Sequence, residues 1–335
     1  MPLPGVSDLH VNAPLTNVSV AYIQNPNRFI ANKVFPKVPV EKRSDIYWRY
    51  SKSDWRRTEA AKRAPGTESK GVGWNNDTDQ YYCDVYAVHK DIEDQVRANA
   101  DSNFKLDSDA TKFVTNQLLL RRDMDWVDTY FKTGVWATEY DGVAGTPTAG
   151  QFQQWDQSAS DPLVNVTDWQ IDFDLLTGFE VNFMVLGANV WKRLKNHPAI
   201  LDRIKFTQKG VVTKDLVASF FDIPANRLFV ASASSSVGPQ INDMAAQDAA
   251  ATMEYIVPAN SALLGYAPSA PSLNEPSAGY VMTWKGYIGN NSEGVAISNF
   301  RMQHLKSDRI EGEMAYDMKV VSQDCGIFLN NVVAG

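Results

Sequence analysis

The spacing of apolar positions changes several times along the chain, and each change marks an element. Residues 46–50 and 81–88 are short runs rich in aromatic and β-branched side chains, which sheets favour. Between them Pro65-Gly66 and Gly71-Val72-Gly73 supply turn chemistry, so the pattern predicts a long hairpin whose tip spans 56–79. An isolated two-stranded ribbon is marginal in water, and this one is expected to need a partner surface. A short helix follows at 91–97. From 109 to 131, Ala110, Phe113, Val114, Gln117, Leu118, Arg121, Met124, Val127 and Phe131 recur at helical spacing. This predicts an amphipathic helix of about six turns, capped by Asp107 or Ser108 and stopped at Gly134. Arg122, Asp123 and Asp125 fall on its expected polar side.

A second lobe begins after the Gly-rich loop at 142–150. There Thr167 is expected to cap a helix with the stripe Trp169, Phe173 and Leu176, ended by Gly178. A buried strand at 181–186, a helix from Val190 that ends at His197-Pro198, a helix at 214–221 and a strand at 227–231 come next. Residues 232–251 read as a polar loop of small residues. Closing strands are predicted at 315–321 and 327–329. Strands and helices mix without regular alternation, which gives the class α+β. Before all of this, residues 1–40 carry six prolines, so they read as an extended arm. Its interspersed Val18, Val20, Tyr22, Ile23, Phe29, Ile30, Val34 and Phe35 predict that it lies against its own body or a neighbour.

Composition narrows the class further. With 335 residues, 44% hydrophobic and 21% charged, the chain can bury a full core, which excludes disordered, collagenous and disulfide-scaffold proteins. Two cysteines, Cys83 and Cys325, form no CxxC pair, and a reducing compartment is the expectation. The start of the chain lacks the basic and apolar blocks of a secretion signal, and no apolar run is long enough to span a membrane. Charge is uneven. Residues 41–71 hold nine basic and five acidic side chains, a surplus of +4 that leaves −11 for the rest of a chain of net charge −7.

Tests for chemistry come out weak. The Gly66–Gly73 stretch has the first spacing of a phosphate loop but carries Val72 where lysine is required, so a hairpin tip is the better account. His10, His89, His197 and His304 are scattered, with no ligand spacing among them. The Asp107/Asp109, Asp123/Asp125 and Asp172/Asp174 pairs read as helix termini or solvated faces. No catalytic residue, metal site or cofactor is expected. The basic tip with Trp48, Trp55 and Trp74 has the ingredients of a single-strand nucleic-acid platform. Five interrupting acids and an acidic body instead favour contact with another copy of the chain. Trp55, Arg56, Arg57, Lys62, Arg63 and Trp74 are therefore the expected subunit-interface residues.

The order of parts then becomes informative: arm, charged hairpin, long helix, mixed lobe, return strands. Local strings accompany it, among them Phe35-Pro36-Lys37-Val38-Pro39-Val40, Trp155-Asp156 followed by Ser160-Asp161-Pro162, and Thr177-Gly178 leading through Asn182 to Val185-Leu186-Gly187. Another begins at Val190-Trp191-Lys192-Arg193-Leu194, runs through His197-Pro198 and continues to Asp202-Arg203-Ile204-Lys205. Over nearly its whole length the chain resembles the tailed-bacteriophage major capsid proteins of the Hong Kong 97 type.

That resemblance implies an N-terminal arm (1–40), an extended β-hairpin loop (41–90), a peripheral domain (91–160 and 295–335) with a spine helix at about 109–131, and an axial domain (161–294). It implies a non-enzymatic shell subunit that forms pentamers and hexamers and closes an icosahedral head around double-stranded DNA without sequence-specific binding. Expected partners are a portal, a scaffolding protein and decoration proteins, with no membrane. The expected place is the virion, assembled in the host cytoplasm. The chain starts directly at the arm, so either scaffolding is a separate protein or an N-terminal part has been removed. Some relatives cross-link a loop lysine to an asparagine near the chain end. Here Lys62 or Lys70 with Asn330 or Asn331 would be the candidates, beside a carboxylate that takes up the proton. An encapsulin-like nanocompartment shell is the alternative within the fold, and an enzyme of unknown class the alternative outside it.

Overall fold

A computed structural model describes residues 24–100, 105–205, 211–237, 244–272, 275–288 and 294–334. The predicted arm's first 23 residues, with Val18, Val20, Tyr22 and Ile23, lie outside them. The described chain opens with α1 (Ala31–Val34) and β1 (Lys37–Val40). A ribbon follows: β2 (Ser44–Tyr50), α2 (Lys52–Arg56) and β3 (Asn76–Tyr82). Then come β4 (Asp84–Glu93), α3 (Asp94–Asn99) and α4 (Leu106–Tyr130). The middle of the chain forms β5 (Thr138–Val143), β6 (Gln151–Gln153), α5 (Pro162–Thr177), β7 (Phe183–Leu186), α6 (Ala188–Lys195), α7 (Pro198–Ile204) and α8 (Lys214–Phe220). Next are β8 (Leu228–Val230), β9 (Ser234–Val237), α9 (Met244–Ala250), β10 (Thr252–Tyr255) and β11 (Ala262–Gly265). The chain closes through β12 (Gly279–Trp284), α10 (Lys285–Ile288), β13 (Val295–Met302), β14 (Ser307–Val320) and β15 (Gly326–Asn330).

Two sheets organise these elements. The six-stranded sheet runs β6-β5-β15-β11-β7-β8. Its β7 and β11 are buried at every position, as central strands covered on both faces must be. In the second sheet, the 14-residue β14 takes β4 along one edge over Ser307–Tyr316. Along its other edge it takes β13 and then β12, with β1 beyond β12 in parallel. Helix α4 packs beneath this sheet. They approach closely at Gly312, where an added Cβ would come within 2.5 Å of Val114 Cγ1.

The described part of the arm lies against its own body. Ile30, Ala31, Val34 and Phe35 are buried, and the Phe35 ring sits 4.5 Å from Tyr130 and 5.4 Å from Phe183. It thereby joins α4 to the six-stranded sheet. The same arrangement corrects the expected face of the long helix. Its buried row is Ala110, Val114, Leu118, Arg122, Trp126 and Tyr130, with Leu119 and Asp123 beside it, while Phe113 and Met124 are exposed. Asp123 is not on a solvated face at all. Its carboxylate is 1% exposed and accepts hydrogen bonds from the Ile30 and Ala31 backbone N–H groups (3.2 and 2.9 Å), the orphan donors at the start of α1. Burial raises its pKa from the ordinary carboxylate value to about 6. Asp125 accepts from the Tyr316 hydroxyl at 2.6 Å and pairs with Arg121.

Other boundaries differ for local reasons. The run at 81–88 is two strands, not one: β3 ends at Tyr82 and pairs with β2, whereas β4 begins at Asp84 and pairs with β14. The predicted helix at 91–97 starts only at Asp94, because β4 continues along β14 to Glu93. Helix α4 begins earlier than predicted, at Leu106, so Asp107 and Ser108 lie in its first turn; its N-cap is Lys105, without a side-chain cap. Helix α5 is capped by Asp161, which accepts from Leu163 N and Val164 N, with Pro162 at its first position and Gly178 left-handed at its end. Thr167 sits inside and bonds back to Leu163 O. His197 also opens the next helix: Nδ1 accepts from Ala199 N and Nε2 meets Ser160 Oγ. Burial lowers its pKa. Residues 232–251, read as loop, contain β9 and α9, and β9 pairs with β10 in a small ribbon.

Candidate subunit interface

The β2–β3 ribbon pairs Ser44 with Tyr82 through to Tyr50 with Asn76. Because side chains alternate across a strand, its two faces differ. The inward face carries Tyr47 and Tyr81, which join a small cluster with Cys83, Tyr280 and Met282 against β12. Tyr47 is held by a 2.9 Å hydrogen bond from its hydroxyl to Asp79. The outward face carries Ile46, Trp48 and Tyr50, all exposed. At the ribbon's far end Asp54 accepts from both Asn75 N and Nδ2 (2.8 and 2.9 Å), which ties α2 to the start of β3. This brings Trp55 to 6.0 Å from Tyr50 and 6.1 Å from Trp74, a row of three exposed rings.

The expected cations take different positions. Arg57 pairs with Glu59 at 2.6 Å, and Lys70 reaches the same carboxylate at 3.1 Å. The Lys70 hydrogen bond, then the charges of Lys70 and Arg57, hold Glu59 below the usual carboxylate range. Arg63 Nε donates to Thr67 O within the tip. Among the described residues Lys62 has no ion-pair partner. Arg56 is different. Its Nη1 donates to Leu175 O (3.0 Å) and Leu176 O (2.7 Å), terminal carbonyls of α5 that have no partner inside the helix. Lys52 adds a second tie, 2.6 Å to Asp324. Both are contacts within the subunit.

Asn330 and Asn331 both donate to Asp141 Oδ1 (3.0 and 2.9 Å), so a carboxylate does lie beside them. Within one chain neither meets Lys62 or Lys70 in any described contact. Sequence reasoning missed the receiving end of the Arg56 contact. Helix α5 exposes Val164, Ile171 and Leu175 on the side away from its buried Val166, Trp169 and Phe173. Apolar residues outside the predicted stripe were the available signal.

No group of three or more metal-ligating side chains is gathered among the described residues, and no described helix is long and apolar enough to cross a membrane. No protein-family model matches the chain. The chain is 28% identical over 219 residues to the major capsid protein of Burkholderia phage BcepMu, covering 64% of this chain and 66% of that protein. It is 26% identical over 222 residues to the major capsid protein of Pseudomonas phage JBD67, covering 64% and 67%. The chain is thus similar in sequence to two phage major capsid proteins. The first of these matches spans just under two thirds of the relative's length.

Solved structures agree on the fold of this capsid-protein relative. A phage-related protein of Bordetella bronchiseptica RB50 superposes with a TM-score of 0.66 at 17% identity, over 91% of this chain and 93% of that one. The capsid of cyanophage P-SCSP1u gives 0.59 at 12%, over 97% and 94%. The SrpI encapsulin of Synechococcus elongatus PCC 7942 gives 0.53 at 11%, also over 97% and 94%. The Hong Kong 97-type capsid fold is thus common to this chain, to phage capsids and to an encapsulin.

Proposed function

We propose that the protein is a structural, non-enzymatic shell subunit that assembles into an icosahedral phage head around double-stranded DNA. The observation that carries this is its sequence kinship with two phage major capsid proteins, alongside a hairpin that turns three tryptophans and a cationic surplus to solvent. The encapsulin shares the fold, whereas both sequence relatives are major capsid proteins. On this reading residues 1–40 are the arm, 41–90 the extended loop, 91–160 with 295–335 the peripheral domain built on α4, and 161–294 the axial domain. Pentamers and hexamers are its self-assembled units. A portal, a separate scaffolding protein and decoration proteins are its partners, the host cytoplasm its place of assembly and the virion its destination. Each contact can be modest, because releasing one subunit from a closed shell breaks several at once. The acidic remainder of the chain suits a container that does not grip DNA through its phosphates.

Electron microscopy of the purified protein tests this directly. Polyhedral shells or capsomer rings are expected, and particles made alongside the packaging machinery should hold nuclease-resistant DNA. A persistent monomer would overturn the proposal, and shells that enclose an enzyme instead of DNA would favour the nanocompartment. Replacing Arg56, Arg57, Lys62 and Arg63 together with serine should leave a soluble subunit with impaired assembly. Denaturing electrophoresis of the same particles decides the cross-link between Lys62 or Lys70 and Asn330 or Asn331: a ladder supports it, and a single subunit band rejects it.

A further inference from the structure

Besides the hairpin, a second stretch of the chain is cationic. Residues 192–205 hold five basic side chains (Lys192, Arg193, Lys195, Arg203 and Lys205) and one acid, Asp202, a surplus of +4 that by itself leaves −11 for the rest of the chain. The fold puts all five at the surface. Helix α6 buries Val190 and Leu194, one turn apart, so Lys192, Arg193 and Lys195 fall on its opposite arc. Helix α7, opened by His197 and Pro198, buries Ile200 and Ile204 and ends on the exposed Arg203 and Lys205. Cations at a helix end complement its dipole, but one at each end is enough for that. Among the described residues none of the five meets a carboxylate, and Lys195 lies over the Trp191 ring, 5.1 Å from its centroid. The second sheet treats its cations differently: Arg97 pairs with Asp107, Arg301 with Asp94 and Arg309 with Asp91.

We infer that the exposed face of α6 and α7 is a contact for the backbone phosphates of packaged duplex DNA. This rests on the shell-subunit reading and names the part of the subunit that meets the contents of the shell. The composition of the face selects phosphate over another protein surface. Contacts between proteins centre on apolar and aromatic side chains and are depleted of lysine. Here three of the five cations are lysines, and Leu201 is the one large apolar side chain exposed among the described residues of α6 and α7. Surfaces that meet DNA are polar and strongly positive instead. Lysines reach phosphate oxygens as point charges and arginines as forks, and contacts of this kind carry no sequence information. Confined to two short helices of an acidic chain, the contact is local and salt-sensitive, which steadies DNA without preventing its release.

The test measures binding of a duplex of about 40 base pairs to the full chain by fluorescence anisotropy, between about 50 and 200 mM salt. Five phosphate contacts correspond to a log–log slope of about −4.5, so wild-type affinity should fall about 500-fold across that range. Replacing all five cations with glutamine should bring the slope near zero while circular dichroism and melting temperature stay at wild-type values. Arg203→Gln with Lys205→Gln, which leaves α6 untouched, should remove about two units of slope, and lysine-to-arginine exchanges at 192, 195 and 205 should preserve it. An unchanged slope in both glutamine variants would overturn the inference and leave the shell reading intact. Lost particle yield in those variants with unchanged DNA affinity would assign the face to a contact between copies and overturn it as well. Tighter binding of single-stranded RNA than of the duplex would remove duplex DNA as the occupant. A wild-type chain that never assembles would remove the shell reading and packaged DNA with it.

Discussion

The two long hairpins of the molecule make an instructive pair. Both β2–β3 and β13–β14 are antiparallel ribbons of seven or more paired positions, with aromatic and β-branched residues in their strands. One is backed by a helix: Ile310, Gly312 and Met314 on β14 face α4, and Ile310 and Met314 are almost wholly buried there. The other has one face covered, through Tyr47 and Tyr81, and shows Ile46, Trp48 and Tyr50 on its other face to water. Local sequence makes both ribbons, but only a second layer makes one of them self-sufficient. The uncovered ribbon is left with an apolar face in water.

Substitutions should separate the two ribbons sharply. Leu118→Ala on α4, beneath β14, should cost about 2–5 kcal/mol in denaturant unfolding, since it opens a cavity under a closely packed strand. A loss under 1 kcal/mol would mean that the helix does not support the sheet. The next effect concerns the arm, which meets α4 through Asp123. Its folded pKa of about 6 lies above the ordinary 3.8 of the unfolded chain. Asp123 is neutral in both states below about pH 3.8, and between there and pH 6 the unfolded chain ionises first. Its contribution to stability is therefore complete in acid and declines as pH rises through 6, by about 3 kcal/mol. The difference in unfolding free energy between wild type and Asp123→Asn should change by that amount between pH 3.5 and pH 7, and a flat difference would refute it. The smallest effect belongs to the uncovered ribbon. Trp48→Ser should shift monomer stability by no more than about 0.5 kcal/mol. A larger loss would show that this face is already covered within the subunit.

Much of this is legible in the amino-acid sequence. The strand runs, the long helix, the mixed lobe and the order of parts all follow from periodicity and turn chemistry. What periodicity does not register is a segment arriving from elsewhere in the chain. Asp123 looked solvated because its burial comes from residues 30 and 31, about ninety positions away. Arg56 looked like a free surface cation because its acceptors are two carbonyls at the end of a helix that begins more than a hundred residues later. The division of 81–88 at Cys83 was hidden for a related reason, since one uninterrupted run of strand-forming residues serves two different partners. Residue types predicted the β2–β3 ribbon, while the exposed apolar side of α5 required the fold.

The length of β14 has a mechanical consequence. Ten of its residues are laddered to β4 on one edge, while β13 and then β12 occupy the other, so a single strand splints three others end to end. Tension along β14 loads that ladder in shear, with many bonds sharing the strain because they run across the direction of pull. Tension that parts the two strands of the β2–β3 ribbon instead unzips it pair by pair. A wall built from such subunits would yield first at its two-stranded ribbons and last in the sheets spanned by β14.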